Sequence, residues 1–133
     1  MSVTFREARE ADVSAVIALL MDDKLGSTRE STRAEAYVPT FREIEADPNN
    51  FVIVGEEDGV VVATYHLTII AGLSLSATRR AQIEGVRVAS HLRGQGVGEA
   101  MFADAEMRSR AAGCKLIQLT MNKSRTDSAR FYE

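Results

Sequence analysis

The chain has 133 residues, 45% hydrophobic and 26% charged, an ordinary globular composition whose length suits one domain around one core. Its single cysteine excludes an internal disulfide and a cysteine-rich metal cluster, and two histidines far apart without an HExxH pattern argue against a catalytic metal. A net charge of −3 argues against a nucleic-acid partner, and no apolar run approaches the ~20 residues of a membrane span.

The charge is unevenly divided. Residues 1–60 hold 13 acidic and 6 basic side chains, whereas residues 61–133 hold 6 acidic and 10 basic, so the halves carry −7 and +4. A basic half suits a polyanionic ligand and an acidic half attracts a cationic one, although solvated faces would account for most individual charges. The N-terminal MSVTFREARE has neither a basic leader nor an apolar signal segment, which predicts a cytoplasmic protein.

Val3 to Arg6 reads as a short strand, and Val13, Val16, Ile17 and Leu20 then recur at helical spacing. Glu10 and Asp12 fall in or near the first turn of that helix, where acidic groups interact favourably with the dipole, and Gly26 closes the segment. The polar run from Asp22 to Arg33 has loop composition and is expected to be mobile. Ala34 to Ala46 carries Tyr37, Phe41 and Ile44 at helical spacing, with Pro39 expected to divide or kink the segment. Those aromatic residues either pack on the core or line a substrate pocket.

Asp47-Pro48-Asn49-Asn50 is a turn. Phe51 to Gly55 and Val60 to Ile70 are rich in β-formers and flank EEDG, which predicts an antiparallel hairpin. Gly72 to Arg80 connects to a third β run, Ala81 to Val88. A helix from Val97 to Ala112 follows, ending at Gly113 as a C′ residue. Its expected apolar stripe is Val97, Ala100, Met101, Ala105, Met107 and Ala112, interrupted by Asp104 and Arg108, which are spaced to pair. KLIQLTM gives another strand, parallel to the Gln82 run because a helix separates them, and NKSRTDSARFYE begins a last helix. The order β-α-α-β-β-β-α-β-α defines an α/β fold with a mixed sheet and helices on both faces.

The most informative stretch is Gln82 to Gly98, QIEGVRVASHLRGQGVG, a strand that ends in a glycine-studded turn and opens into a helix. Gly94, Gly96 and Gly98 let a ligand approach the backbone closely, and the helix start supplies free amides and the positive end of a dipole. A phosphate-bearing cofactor suits such a site. The loop lacks the Gly-Lys-Ser/Thr of a Walker A motif, because Glu99 follows the last glycine, and its GxGxG spacing is not the GxGxxG of a dinucleotide fingerprint. An ordinary glycine turn between a strand and a helix is the plain alternative.

Arg93-Gly94-Gln95-Gly96-Val97-Gly98 resembles the Arg/Gln-x-x-Gly-x-Gly/Ala loop of the GNAT N-acetyltransferases. IEGVRV looks like that family's central strand, and LTMNKSRTDSARFYE looks like its following strand, turn and helix. The resemblance extends over nearly all of residues 1–133 as one acetyltransferase domain and matches the element order above. The family pattern continues past "FYE" into two further strands, so the domain reads as cut short at Glu133, or as completed by a partner chain.

The resemblance implies transfer of an acetyl group from acetyl-CoA, without a metal, to a primary amine that attacks directly in a ternary complex. A small-molecule acceptor is expected, with a protein N-terminus or lysine as the alternative, no nucleic acid or membrane partner, and a homodimer allowed. A non-catalytic acyl-CoA-binding or regulatory module on the same fold is the rival. By motif position Glu84 is the base that deprotonates the amine, and Tyr132 is the acid for the departing thiolate. Plain roles compete with both: an ion pair of Glu84 with Arg79 or Arg80, and packing of Tyr132 beside Phe131. Strand alternation puts Glu84, Val86 and Val88 on one face, with Arg87 opposite.

Further assignments come from the same resemblance. Backbone groups of Val86, Arg87 and Val88 would stabilise the oxyanion if this strand splays from its parallel neighbour. Arg93 and the amides of Gly94, Gln95, Gly96, Val97, Gly98 and Glu99 would hold the phosphates, assisted by Ser128 or Arg130. Asn122 and Asp127 match positions that contact the pantetheine arm, or serve as turn or helix caps. His66, His91 and Cys114 are expected to be a strand-face residue, a loop residue and a small buried residue without a catalytic role.

Overall fold

A computed structural model describes residues 2–21 and 34–120. Five strands form one sheet in chain order: β1 (Thr4–Glu7), β2 (Asn50–Glu57), β3 (Val60–Ile70), β4 (Arg80–Val88) and β5 (Leu116–Leu119). The first four are antiparallel in succession, and β5 runs parallel to β4. Helices α1 (Val13–Met21) and α2 (Val38–Ala46) contact the sheet, as does α3 (Val97–Ala111). The expected mixed α/β order therefore holds over these residues, while the Asp22–Arg33 loop and the helix expected after β5 lie outside them.

Local chemistry explains the elements. Asp58 (φ 52°) and Gly59 (φ 79°) turn the β2–β3 hairpin, with Glu57 paired to Val60, a two-residue turn whose positive φ values match strand twist. The Asp47 carboxylate accepts from the Asn49 amide at 2.8 Å and from Asn50 Nδ2 at 2.7 Å, closing the turn into β2. Pro39 falls in the first turn of α2, where it removes no intrahelical bond, so the segment divides at Tyr37 after a short 3-10 turn, Ala34–Ala36. Gly113, at φ 85°, ends α3, with Cys114 N donating to Ser109 O and Gly113 N to Arg110 O, both at 2.9 Å.

The main core lies between the sheet and α3, where Ile53, Tyr65, Leu67 and Ile83 meet Met101 and Ala105. Val13 and Ile17 of α1 pack with Phe41 of α2 and Val52 in a second cluster. The buried stripe of α3 differs from the expected one: Val97, Met101, Ala105 and Ser109 are buried, whereas Ala100 and Ala112 are exposed and Met107 is 55% exposed. A strict four-residue spacing selects the buried row, and the Ser109 hydroxyl fits there by donating to Ala105 O at 2.7 Å. Asp104 and Arg108 do pair, at 2.7 Å, and Tyr65 Oη donates to the same carboxylate at 2.6 Å. These bonds satisfy the polar atoms that interrupt the stripe and tie α3 to β3.

Two stability experiments follow from this packing. A Cβ on Gly55 would lie 2.7 Å from Phe5 Cε1 on the neighbouring strand, so Gly55→Ala is expected to destabilise the fold by about 1–3 kcal/mol, read from a shift of the urea midpoint. Arg6 binds both carboxylate oxygens of Asp12, at 2.8 and 3.0 Å, and its side-chain hydrogen bond is the largest influence holding the Asp12 carboxyl below the usual range. A depressed carboxyl pKa stabilises the fold above its unfolded value of about 3.9, and that contribution disappears as pH falls through the folded value. Asp12→Asn is therefore expected to lower stability at pH 7 and to flatten the acid dependence of the melting temperature below about pH 4.

Candidate active site

Strand β4 connects two features. Its C-terminal end leads through a 3-10 turn, Ser90–Leu92, into the glycine loop, and its middle borders a cavity. The turn is anchored by buried Leu92 and by hydrogen bonds from Ala89 N to Val62 O at 2.8 Å and from Leu92 N to Ala89 O at 2.9 Å. Gly94 (φ 81°) and Gly96 (φ 83°) then adopt the left-handed conformation, and Gly96 becomes the N-cap of α3 without a side-chain cap. The first-turn amides of Val97, Gly98 and Glu99 have no partner earlier in the helix, as at every helix start. A Cβ built on Gly94, Gly96 or Gly98 meets nothing within 4 Å, so space for a ligand lies directly over the backbone. Arg93 is exposed beside it.

The β4–β5 ladder covers Arg80–Ile83 against Leu116–Leu119, followed by one bond from Thr120 N to Ile83 O at 2.9 Å. The divergence of β4 from β5 expected around Val86, Arg87 and Val88 would involve residues after Thr120, which lie outside the described residues.

One expectation for this strand is overturned. His66 pairs with Glu84, but Thr64 pairs with Arg87 and Ala63 with Val88, so β4 carries one extra residue in a bulge at Gly85 (φ 62°) and Val86. The insertion reverses the alternation: Glu84 and Arg87 share the face of His66 and Thr64, whereas Val88 shares the opposite face with Ala63. Val86 and Val88 pack against the main core, and buried Arg87 donates to Val86 O at 2.9 Å. The ion pair of Glu84 with Arg79 or Arg80 is absent among the described residues; Glu84 instead accepts from Gln82 Nε2 at 3.2 Å.

The cavity, about 260 Å³, lies between α1, α2 and the sheet. Val13, Val16, Ile17 and Leu20 form the α1 wall, Thr40, Phe41 and Ile44 the α2 wall, and Tyr37 and Val52 add to it. Thr64, His66, Glu84 and Gly85 line it from β3 and β4. Thus Tyr37 and Phe41 both pack and line the cavity.

His66 was not legible as a site residue from composition or local motifs. Its hydrogen bonds define its chemistry. Asn50 Nδ2 donates to Asp47 Oδ2 at 2.7 Å, which leaves Asn50 Oδ1 as the acceptor toward His66 Nε2 at 2.9 Å and Thr68 Oγ1 at 3.1 Å. Nε2 therefore carries the proton in the neutral ring, and Nδ1 keeps a lone pair. Burial lowers the His66 pKa below its ordinary value of 6.5, opposed by the neighbouring Glu84 charge, so the ring is neutral at pH 7. The sequence feature that marks it is the alternation Thr64-His66-Thr68 along β3, a polar face inside an otherwise apolar strand, whose meaning depends on the partner strands.

His91 is exposed in the turn before the loop, and Cys114 is buried, with its thiol pKa raised by desolvation. No group of histidine, cysteine and acidic residues among the described residues could hold a metal. No described helix is long and apolar enough to cross a membrane. Asn122, Asp127 and Tyr132, together with Ser128 and Arg130, lie outside the described residues.

Among the described residues, a five-stranded mixed sheet whose strand β4 leads through a glycine loop into a helix is the framework of an acyltransferase fold. The chain matches the acetyltransferase (GNAT) family over residues 14–133 and belongs to it. No curated protein sequence matches it. Among solved structures it is similar to a transcriptional regulator from Bacillus halodurans C-125, with 41% identity and a TM-score of 0.91 over 98% of this chain and 89% of that one. It also resembles glucosamine-6-phosphate N-acetyltransferase from Arabidopsis thaliana, with 21% identity and a TM-score of 0.79 over 98% and 90% of the two chains. A third similar structure is a predicted acetyltransferase from Clostridium acetobutylicum with acetyl-CoA, with 16% identity and a TM-score of 0.75 over 98% and 88%.

Proposed function

We propose that this protein, in the cytoplasm, transfers an acetyl group from acetyl-CoA to a small primary amine that attacks directly within a ternary complex. The observation that carries the reading is the continuity of β4. One strand leads into an open glycine loop and also borders, through Glu84, the cavity between α1, α2 and the sheet. A pyrophosphate fits the loop, because the open space over three glycines is what added Cβ atoms would fill. Acetyl-CoA supplies an acetyl group activated as a thioester.

The remaining roles belong to the chain. Arg93 and the amides of Gly94, Gln95, Gly96, Val97, Gly98 and Glu99 bind the phosphates. The β4 backbone from Val86 to Val88 would stabilise the oxyanion of the reacting carbonyl. Glu84 attracts the ammonium and takes its proton, since an alkyl ammonium with a pKa of about 10.4 is not nucleophilic until deprotonated. Tyr132 protonates the leaving thiolate, and Asn122 and Asp127 steady the pantetheine arm.

A thermal-shift titration tests the cofactor assignment. Acetyl-CoA and CoA should each stabilise the protein, by about 2.7 kcal/mol at a hundredfold excess over Kd. The absence of a shift with either would refute it. A second reading, a regulatory module that binds acetyl-CoA without turnover, is favoured by the 41% identity to the Bacillus halodurans transcriptional regulator. Acetyl-CoA binding without CoA release on any amine would select that reading.

A further inference from the structure

We infer that the acceptor is a primary amine carried on an uncharged, apolar body of roughly ten non-hydrogen atoms, a size scaled from the cavity capacity below. This rests on the acetyltransferase reading and adds the substrate class to it. Three properties of the cavity carry the inference.

The first is the character of its walls. Val16, Ile17 and Leu20 face Phe41, Ile44 and Val52, so most of a bound molecule would meet hydrocarbon. The second is charge. Among the described residues, Glu84 is the only lining residue with a formal charge at pH 7, because His66 is neutral there and Tyr37, Thr40, Thr64 and Tyr65 are hydroxyl side chains. Among the described lining residues, a polyamine would find no partner for its additional charges, and an amino acid or sugar phosphate would bring an anion beside Glu84 with no cation to meet it.

The third is the polarity of the end at β3 and β4. His66 keeps an acceptor at Nδ1, Glu84 is an acceptor, and the Thr64 hydroxyl is engaged as a donor to Ile53 O at 2.9 Å. Such an end recognises an N–H donor and disfavours a carboxylate or phosphate. Volume limits the body: an apolar cavity of about 150 Å³ takes benzene, so the present 260 Å³ accommodates a ring with a two-carbon arm or a branched alkyl chain.

In the reaction the ammonium first loses a proton at the Glu84–His66 end. The nitrogen lone pair then forms the bond to the acetyl carbon as the carbon–sulfur bond breaks. CoA leaves as its thiol, the product is the neutral N-acetyl amide, and one proton is released overall. Neutralisation of the amine also favours product departure from beside Glu84, because the amide no longer carries the attracting charge.

The test is CoA thiol release by the full chain with acetyl-CoA and a panel of acceptors. 2-Phenylethylamine or 3-methylbutylamine should exceed spermidine, lysine and glucosamine-6-phosphate in kcat/KM by about tenfold or more. Equal or greater turnover of any of those charged acceptors, or of a peptide with an apolar N-terminal residue, would overturn the inference. Ile44→Gln should reduce kcat/KM for the apolar amines by about tenfold while leaving the acetyl-CoA thermal shift unchanged. An unchanged apolar-amine rate in that variant would also count against it. If acetyl-CoA stabilises the unmodified protein but no apolar amine is acetylated, the acceptor class is wrong and the cofactor assignment stands. Failure of acetyl-CoA to bind would instead refute the acetyltransferase reading itself.

Discussion

Replacing Glu84 by glutamine is expected to lower kcat by about 10²- to 10⁴-fold, the usual contribution of a positioned general base, with little change in the acetyl-CoA thermal shift. The substitution keeps the size of the side chain and its place opposite His66, but removes the only formal charge among the described residues that line the cavity. If Glu84 accepts the proton, the rise in rate with pH on the acidic limb should flatten as well. His66 provides the contrast. Its folded pKa lies below 6.5, so a limb that persists in Glu84→Gln but disappears in His66→Gln would assign proton acceptance to the imidazole. Glutamine at position 66 can still donate toward Asn50 Oδ1 but cannot titrate. An unchanged kcat in Glu84→Gln would remove that carboxylate from the chemistry.

Gly96→Ala is expected to weaken acetyl-CoA binding by about tenfold or more while lowering stability by only about 1–2 kcal/mol. The two effects have separate sources. The stability loss reflects the φ of 83°, which penalises any Cβ, whereas the binding loss reflects a methyl group placed where the ligand approaches. Gly98→Ala is the matched comparison. Position 98 lies inside α3 without a positive φ, so alanine there should stabilise the fold by about 0.5–1 kcal/mol while its methyl, which also enters the open space over the loop, weakens cofactor binding. Isothermal titration with acetyl-CoA and urea unfolding of both variants would separate the effects. Equal affinities in Gly96→Ala and the parent would remove the loop from cofactor binding.

The features that could be read directly were those written in neighbouring residues. Arg93 to Gly98 determine a tight turn and a helix start through backbone freedom alone, and Asp58-Gly59 determine a hairpin for the same reason. The alternation of β3 and the helical spacing of α1 likewise express local periods. These suffice for the mixed α/β order and the glycine loop, whereas Glu84 became a candidate through its position in the family motif. By contrast, the expected stripe on α3 included Met107, Ala100 and Ala112, because hydrophobicity records what a residue tolerates rather than which neighbour covers it.

The sequence by itself therefore determined the fold class, the loop and the family resemblance, since each is encoded by short-range conformational preference and spacing. Only the tertiary structure decided which side chains meet. One inserted residue at Gly85 reversed the faces of β4, placing Glu84 with Arg87 and turning Val88 to the core. Strand pairing then brought His66 opposite Glu84, and Asp47 and Asn50 set the proton position on that ring. A bulge and a cross-strand register are properties of paired chains, set by packing and ladder hydrogen bonds between distant segments, so neither is written in a local run of residues.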